Sequence, residues 1–128
     1  MIKVEIPCAL PNATNPNWKG HWAVRAKAVK QFRADAYFAA LVWGARKEPP
    51  YKKATVTITL IVPDKRYIRD PDNALASLKP AIDGCVDAGI IKDDDDLSFK
   101  PVIYEIDRGR APLIILEFHE ENPDPPVE

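Results

Sequence analysis

Residues 55–86 read TVTITLIVPDKRYIRDPDNALASLKPAIDGCV and place a strand, a basic loop and a helix one after another. In the first part, apolar residues alternate with threonines, as in a strand with one buried face. The apolar positions are Val56, Ile58, Leu60 and Val62. Asp70 as N-cap and Pro71 at the first helical position indicate where the helix begins. Its predicted buried stripe comprises Leu75, Leu78, Ile82, Cys85 and Val86.

Pro80 lies inside this predicted helix. Its ring opposes the carbonyl of Ala76, and it has no N–H to donate. We therefore expect a kink, or a short first segment followed by a restart near Ser77. Gly89 is expected to end the helix, and an acidic turn at residues 92–96 follows it.

The rest of the chain supplies four more elements. Alternating apolar residues predict strands, and apolar residues at helical spacing predict a helix that Pro49-Pro50 stops. The predicted strands are residues 2–6, 97–106 and 113–119, with a hairpin turn at 108–110, and the predicted helix is residues 22–46. The order β-α-β-α-β-β predicts one small α+β domain, in which two helices pack on one face of a mixed four-stranded sheet. This domain spans residues 1–120, and the acidic, proline-rich residues 121–128 are expected to be disordered.

Length and composition limit the classes of protein. A chain of 128 residues suits one domain with a single active site. Cys8 and Cys85 have apolar neighbours and are too few for a disulfide framework or a zinc site. No apolar run is long enough for a membrane span, and the N-terminus lacks a signal-peptide pattern. We expect a cytoplasmic protein without a membrane partner.

Charge is divided unequally along the chain. Residues 1–69 contain 13 Lys/Arg and 4 Asp/Glu, whereas residues 70–128 contain 5 Lys/Arg and 15 Asp/Glu. The net charge of −1 therefore conceals a basic half and an acidic half. A basic surface can hold a polyanion by its phosphates while acidic groups bind metal, so the division favours a nucleic-acid partner. A basic helix and an acidic tail without a shared function would give the same division.

The acidic half places several carboxylates around one lysine. If residues 72–83 are helical, steps of about 100° per residue bring Asp72, Lys79 and Asp83 onto one stripe. Asp70 stands at the helix entrance, and the run 93–96 follows its end. Converging carboxylates suit a hard cation such as Mg²⁺, and a nearby lysine would face a phosphate. The pattern predicts metal-dependent hydrolysis of a phosphodiester, although Asp70 as a simple cap and the acidic run as a solvated turn remain alternatives.

Three segments resemble a known family: RDPDN at 69–73, KPAIDG at 79–84 and DAGIIKDD at 87–94. They are similar to the signature of RusA-type Holliday junction resolvases, especially phage-borne members. The resemblance implies a homodimeric, Mg²⁺-dependent endonuclease that nicks four-way DNA junctions symmetrically, and we expect Mn²⁺ to substitute. The residues implied as catalytic are Asp70, Asp72, Lys79 and Asp94, and those implied as metal ligands are Asp70, Asp72, Asp93 and Asp94. In the enterobacterial pattern the lysine lies three residues after the Asp-Asn pair, whereas Lys79 lies six after Asn73.

Basic residues before the acids are candidates for phosphate contacts. They cluster in the first loop (residues 9–20), the first helix and the segment that precedes Asp70: Lys19, Arg25, Lys27, Lys30, Arg33, Lys65, Arg66 and Arg69. Trp18 could stack on bases at the open centre of a branched DNA, and His21 and Trp22 are weaker candidates. A tryptophan beside a helix start is more often a packing residue, so both roles remain open for Trp18.

Other functions fit parts of the same pattern. A metal-dependent phosphohydrolase acting on nucleotides would use the same acids but act as a monomer. A DNA-binding module without catalysis would bind branched DNA and leave it uncut. A protein–protein adaptor would not bind DNA even at low salt.

Overall fold

The computed structural model describes residues 1–44 and 49–121 of the chain. It is a small α+β domain, as predicted, in which a mixed sheet carries the helices. The strands are β1 (Ile2–Ile6), β2 (Ala54–Val62), β3 (Leu97–Phe99), β4 (Ile103–Ile106) and β5 (Leu113–Glu120). The helices are α1 (Trp22–Trp43), α2 (Pro71–Ser77) and α3 (Lys79–Asp87), and single 3₁₀ turns lie at Asn12–Thr14, Lys65–Tyr67 and Asp94–Asp96. In this part of the chain no helix is both long and apolar enough to cross a membrane.

The sheet has β5 at its centre. β5 pairs antiparallel with β1 on one side and antiparallel with β2 on the other. On its far side, β2 pairs in parallel first with β3 and then with β4. Apolar residues alternate along β1 and β2 as predicted, since Val4, Val56 and Ile58 are fully buried.

Two predictions about the third strand are wrong. The predicted strand 97–106 is divided into β3 and β4, because Pro101 lies between them and cannot donate a ladder hydrogen bond. The predicted hairpin at 108–110 is absent as well, because β4 and β5 lie on opposite sides of β2. Burial accounts for this order: Ile103 and Ile106 in β4 are each 48% exposed, which suits an edge, while β5 contributes fully buried residues to the core.

The break in the second predicted helix is confirmed. α2 ends at Ser77 and α3 begins at Lys79, with Leu78 shared as the cap between them. Because Pro80 has no N–H, the regular ladder of hydrogen bonds cannot continue across this point. Ile82 resumes it by donating to the carbonyl of Leu78 at 3.0 Å.

α1 packs closely against α3. Its buried residues are Phe32, Ala36 and Ala40, and two of these are small enough for a near approach. Gly84 of α3 makes the approach possible, because a Cβ at this position would lie 2.3 Å from the backbone carbonyl oxygen of Arg33. This contact fixes the position of α3, which carries Lys79 at its start.

The end of α1 and the start of the C-terminal tail differ from the prediction. α1 ends at Trp43 instead of residue 46, because Gly44 adopts a left-handed conformation with φ 118° that stops the helix. Residues 45–48 lie outside the described part. Glu121, the first residue of the segment predicted to be disordered, makes two hydrogen bonds: its N–H donates to the Lys53 carbonyl at 2.9 Å, and its carboxylate accepts from Thr55. Residues 122–128 lie outside the described part.

Candidate active site

Lys79 lies between two carboxylates at the start of α3. Its Nζ donates to Asp83 Oδ1 at 2.8 Å, one helical turn further along, and to Asp94 Oδ2. Asp94 belongs to the acidic turn that follows α3, so the chain returns along the helix to bring this carboxylate back to its start. Of the three residues predicted to share one stripe, Lys79 and Asp83 lie one turn apart in α3 as expected, whereas Asp72 belongs to the separate helix α2. The structure adds Asp94 as a long-range partner of Lys79.

The contacts favour the charged forms of Lys79 and Asp94. The hydrogen bonds to Asp83 and then to Asp94 raise the pKa of the Lys79 ammonium. The hydrogen bond from Lys79 is the largest of the effects that lower the pKa of Asp94. An ammonium has three N–H donors, and two are directed at these carboxylates. One donor therefore remains for another acceptor.

A cleft of about 470 Å³ opens beside this lysine. The residues that line it, here called the Lys79 cleft, are Asp72, Leu75, Ala76, Lys79, Ile82, Asp94 and Phe99. Three of the four residues implied as catalytic therefore share one cavity. Its other walls are apolar, and Phe99, which the sequence analysis missed, is 41% exposed there. Apolar walls strengthen electrostatic interactions between a ligand and the charged groups.

Asp70 occupies a different place. It stands at the N-cap position of α2, as predicted, but its side chain makes no capping hydrogen bond. The carboxylate of Asp70 is exposed and does not line the Lys79 cleft. The cap position is thus confirmed, while the capping bond that would explain this aspartate structurally is missing.

The acidic turn is capped by Asp93 and brings three carboxylates together. Asp93 Oδ1 accepts from the backbone N–H of Asp95 at 3.0 Å and so caps the 3₁₀ turn Asp94–Asp96. Carboxylate oxygens of Asp93, Asp94 and Asp95 lie within 4.8 Å of one another. Of the four residues implied as metal ligands, Asp93 and Asp94 belong to this group and Asp72 shares the cleft with Asp94. Oxygen donors of this kind fit Mg²⁺ better than any softer ion.

The candidate phosphate contacts fall into two groups. The four arginines are engaged within the protein: Arg25 donates to the carbonyls of Asn15 and Trp18, and Arg33 and Arg66 form paired hydrogen bonds with Asp87 and Asp64. Arg69 donates to the loop at residues 10–12 and to Ser77. Burial lowers the pKa of this last guanidinium. Lys19, Lys27, Lys30 and Lys65 are exposed, and in the described residues their side chains have no hydrogen-bond or ion-pair partner.

The aromatic residues near the start of α1 differ in exposure. Trp18 is half-buried, and the guanidinium of Arg25 lies 5.7 Å from its ring centroid. Trp22 is 74% exposed and stacks on His21 with ring centroids 5.5 Å apart. His21 itself caps α1 by accepting from the Ala23 N–H at 3.1 Å, a role that the sequence analysis did not assign. Of the two tryptophans, Trp22 is the more exposed.

Comparisons with known proteins assign no activity. No model of a known protein family matches the chain. It is similar to a protein of Xylella fastidiosa (strain Temecula1 / ATCC 700964), described as "Uncharacterized protein", with 36% identity over 104 residues. The similarity covers 79% of this chain and 66% of that protein, so the chain spans just under two thirds of the relative's length. Because that description names no activity, only the residues of the site bear on what this chain does.

Proposed function

We propose that this protein is a Mg²⁺-dependent DNA endonuclease that resolves four-way junctions by paired symmetric nicks. One observation supports this most strongly: Asp72 of α2, Lys79 of α3 and Asp94 of the acidic turn line one cleft. A lysine beside two carboxylates suits phosphodiester hydrolysis, because the carboxylates can hold a cation while the ammonium faces the phosphate. The resemblance to RusA-type resolvases narrows the substrate to branched DNA.

Each residue of the cleft has a separate task in this proposal. Asp72 and Asp94 would hold Mg²⁺, with Asp70 and Asp93 as further ligands. The chemistry that Mg²⁺ supplies in such sites is activation of a water and neutralisation of charge on the phosphoryl oxygens. Lys79 directs its remaining N–H donor at a phosphoryl oxygen, where a fixed positive charge stabilises the transition state. Asp83 accepts a 2.8 Å hydrogen bond from Nζ, so the ammonium stays oriented.

DNA would approach from the side of the first loop. Asn17 Nδ2 donates to Asn73 Oδ1 at 3.3 Å, which brings the loop beside the start of α2. Lys19 follows Asn17 in this loop, and Lys27 and Lys30 extend the exposed positive charge along α1. Lysines without a protein partner are free to neutralise phosphates and release counterions.

A synthetic four-way junction tests the proposed function. The protein should nick it in Mg²⁺ or Mn²⁺ and leave a linear duplex of the same sequence intact, with no nicking in EDTA. Junction binding without nicking in either metal would instead identify a DNA-binding module. Hydrolysis of nucleotides without any preference for branched DNA would identify a phosphohydrolase, and lack of DNA binding at low salt would refute a nucleic-acid function.

Replacing Lys79 should separate catalysis from binding. We expect Lys79→Ala to slow nicking by about a hundredfold or more, which is the usual cost of removing one preorganised charge, with little change in junction affinity. Lys79→Arg should restore little activity, because a planar guanidinium places its donors differently. Lys92→Ala removes an exposed lysine close to the same acidic turn and should nick normally. An affinity loss in proportion to the rate loss would make Lys79 a docking residue.

Two cuts related by a two-fold axis require two sites, and each chain has one Lys79 cleft. The active species should therefore be a C2 dimer in light scattering at assay concentration. A monomer that cuts both strands in one binding event would contradict the dimer.

Junction binding should weaken steeply with salt, by a slope of about 0.9 per neutralised phosphate in a plot of log K against log salt. Lys30→Glu should weaken binding, whereas Lys3→Glu, which makes the same charge change on β1, should not.

A further inference from the structure

The guanidinium of Arg69 joins two segments that the sequence places far apart. Nη2 donates to the Leu10 carbonyl at 3.0 Å and to Asn12 Oδ1 at 2.8 Å. Nη1 donates to the Pro11 carbonyl at 3.3 Å and to Ser77 Oγ at 3.2 Å. Four hydrogen bonds thus connect the residue before Asp70 with the first loop on one side and the end of α2 on the other. All four acceptors are uncharged, so none of them is an ion pair.

A second, independent link connects the same loop with the same helix. Thr14 Oγ1 lies 3.0 Å from the Ser77 carbonyl and 3.1 Å from the Pro11 carbonyl, and can donate to either. Thr14 is 5% exposed and Ser77 is fully buried. Ser77 is the last residue of α2, where carbonyl groups lose their regular helical partners, so a hydroxyl from the loop satisfies one of them. Arg69 and Thr14 therefore hold loop 10–17 on α2 from two sides of Ser77.

We infer that Arg69 is a positioning residue, which locks loop 10–17 onto α2 and thereby places Lys19, the candidate phosphate contact that follows this loop, near Asp70 and Asp72. The inference rests on the proposed function, since it assigns Arg69 an indirect effect on DNA binding. Four of its five N–H donors are engaged within the protein, so one remains for a phosphate. The 3.3 Å contact between Asn17 and Asn73 shows where the locked loop meets the residue next to Asp72.

The test compares two variants that break the same lock with different changes in charge. Arg69→Met removes the four hydrogen bonds together with a positive charge. Thr14→Val removes one hydroxyl at nearly constant shape and leaves the charge unchanged. Hydrogen exchange of the loop amides measures the lock directly, and junction affinity over a range of salt concentrations measures its effect on DNA. Lys65 is an exposed lysine in the segment between β2 and α2 that also contains Arg69. Lys65→Met therefore shows the effect of losing a simple phosphate contact.

Both lock variants should increase hydrogen exchange in loop 10–17 and weaken junction binding by about tenfold or more, the scale expected for the loss of at least one hydrogen bond. The salt slope should stay unchanged in Thr14→Val, while Lys65→Met should reduce it by about 0.9. Arg69→Lys, with a single donor centre, should not restore the lock. Leu116→Val, which loosens the core away from the loop, should bind normally and so exclude a general effect of stability.

Other outcomes would overturn the inference. Arg69 would be a phosphate contact if Arg69→Met lowered the salt slope like Lys65→Met while its loop amides stayed protected and Thr14→Val bound normally. If Arg69→Met does not fold, Thr14→Val decides alone: normal exchange in its loop refutes the lock. The exchange measurement needs no DNA. A protein that binds no junction but loses loop protection in both variants would therefore refute the proposed function and retain the lock.

Discussion

Asp72→Asn and Asp94→Asn are each expected to abolish nicking of a four-way junction, with a rate loss of roughly a thousandfold, at the upper end for one charged group in a site. The two carboxylates line the same cleft as Lys79, and each substitution removes a negative ligand for Mg²⁺. Junction binding should stay intact or become tighter, because the substitution also removes repulsion of the phosphates. Single-turnover nicking and a binding assay in Ca²⁺ or EDTA measure the two effects separately.

The acidic turn offers a matched control for this experiment. Asp95→Asn makes the same chemical change one residue beyond Asp94, at a position that does not line the Lys79 cleft, and should be mild. Asp70→Asn is expected to abolish nicking too, as the resemblance implies, although its carboxylate lies outside the cleft. Near-normal nicking by any one of the Asp70, Asp72 or Asp94 variants would remove that residue from the site. Equal losses in Asp95→Asn and Asp94→Asn would indicate that only the total charge of the turn matters.

Gly84→Ala is expected to destabilise the protein by about 3 kcal/mol, the cost of forcing an extra group into a tightly packed interface. The expected direction of this change in stability is informative, because alanine normally stabilises a helix interior by about 1 kcal/mol relative to glycine. Here the added Cβ would lie 2.3 Å from the Arg33 carbonyl oxygen and 3.0 Å from the Tyr37 backbone nitrogen. Backbone atoms cannot rotate away, so α1 and α3 must move apart.

Thermal and urea unfolding measure the effect of Gly84→Ala, and a loss of about 3 kcal/mol corresponds to a fall in Tm of about 10 °C for a domain of this size. Gly109→Ala is the control, since its Cβ would meet a single side-chain oxygen at the ordinary distance of 3.6 Å. It should change stability by less than about 0.5 kcal/mol. A Gly84→Ala protein as stable as the parent would show that the helices separate at little cost.

Several elements could be predicted because their signals are local. The alternation in β1 and β2 places every second residue on one face, whatever the rest of the chain does. Pro71 at the first turn of α2 and Pro80 at the break act through their own rings and missing N–H groups, so their effects are contained within a few residues. The helical stripe that pairs Lys79 with Asp83 depends on a spacing of four residues and was predicted for the same reason.

The candidate site was predicted only in part. The approach of Asp94 to Lys79 depends on how the chain returns after α3, and its signal in the sequence was the resemblance rather than any spacing. Phe99 in the cleft wall and Thr14 in the loop lock had no signal, since an aromatic residue in a short strand and a threonine in a loop are common. For Arg69 the sequence favoured a phosphate contact, and the structure placed its guanidinium among protein acceptors.

By itself, the sequence determined the positions of β1, β2, β5 and most of α1, the helix break at Pro80 and the spacing that pairs Lys79 with Asp83. The tertiary structure alone decided that β5 lies between β1 and β2, that Gly84 meets the backbone of α1, and that Arg69 faces the first loop. The physical reason is the range of the interactions. Backbone geometry and proline chemistry act within one or two turns of chain, whereas strand order, close approach and the partner of a long charged side chain are set by which distant surfaces bury each other best.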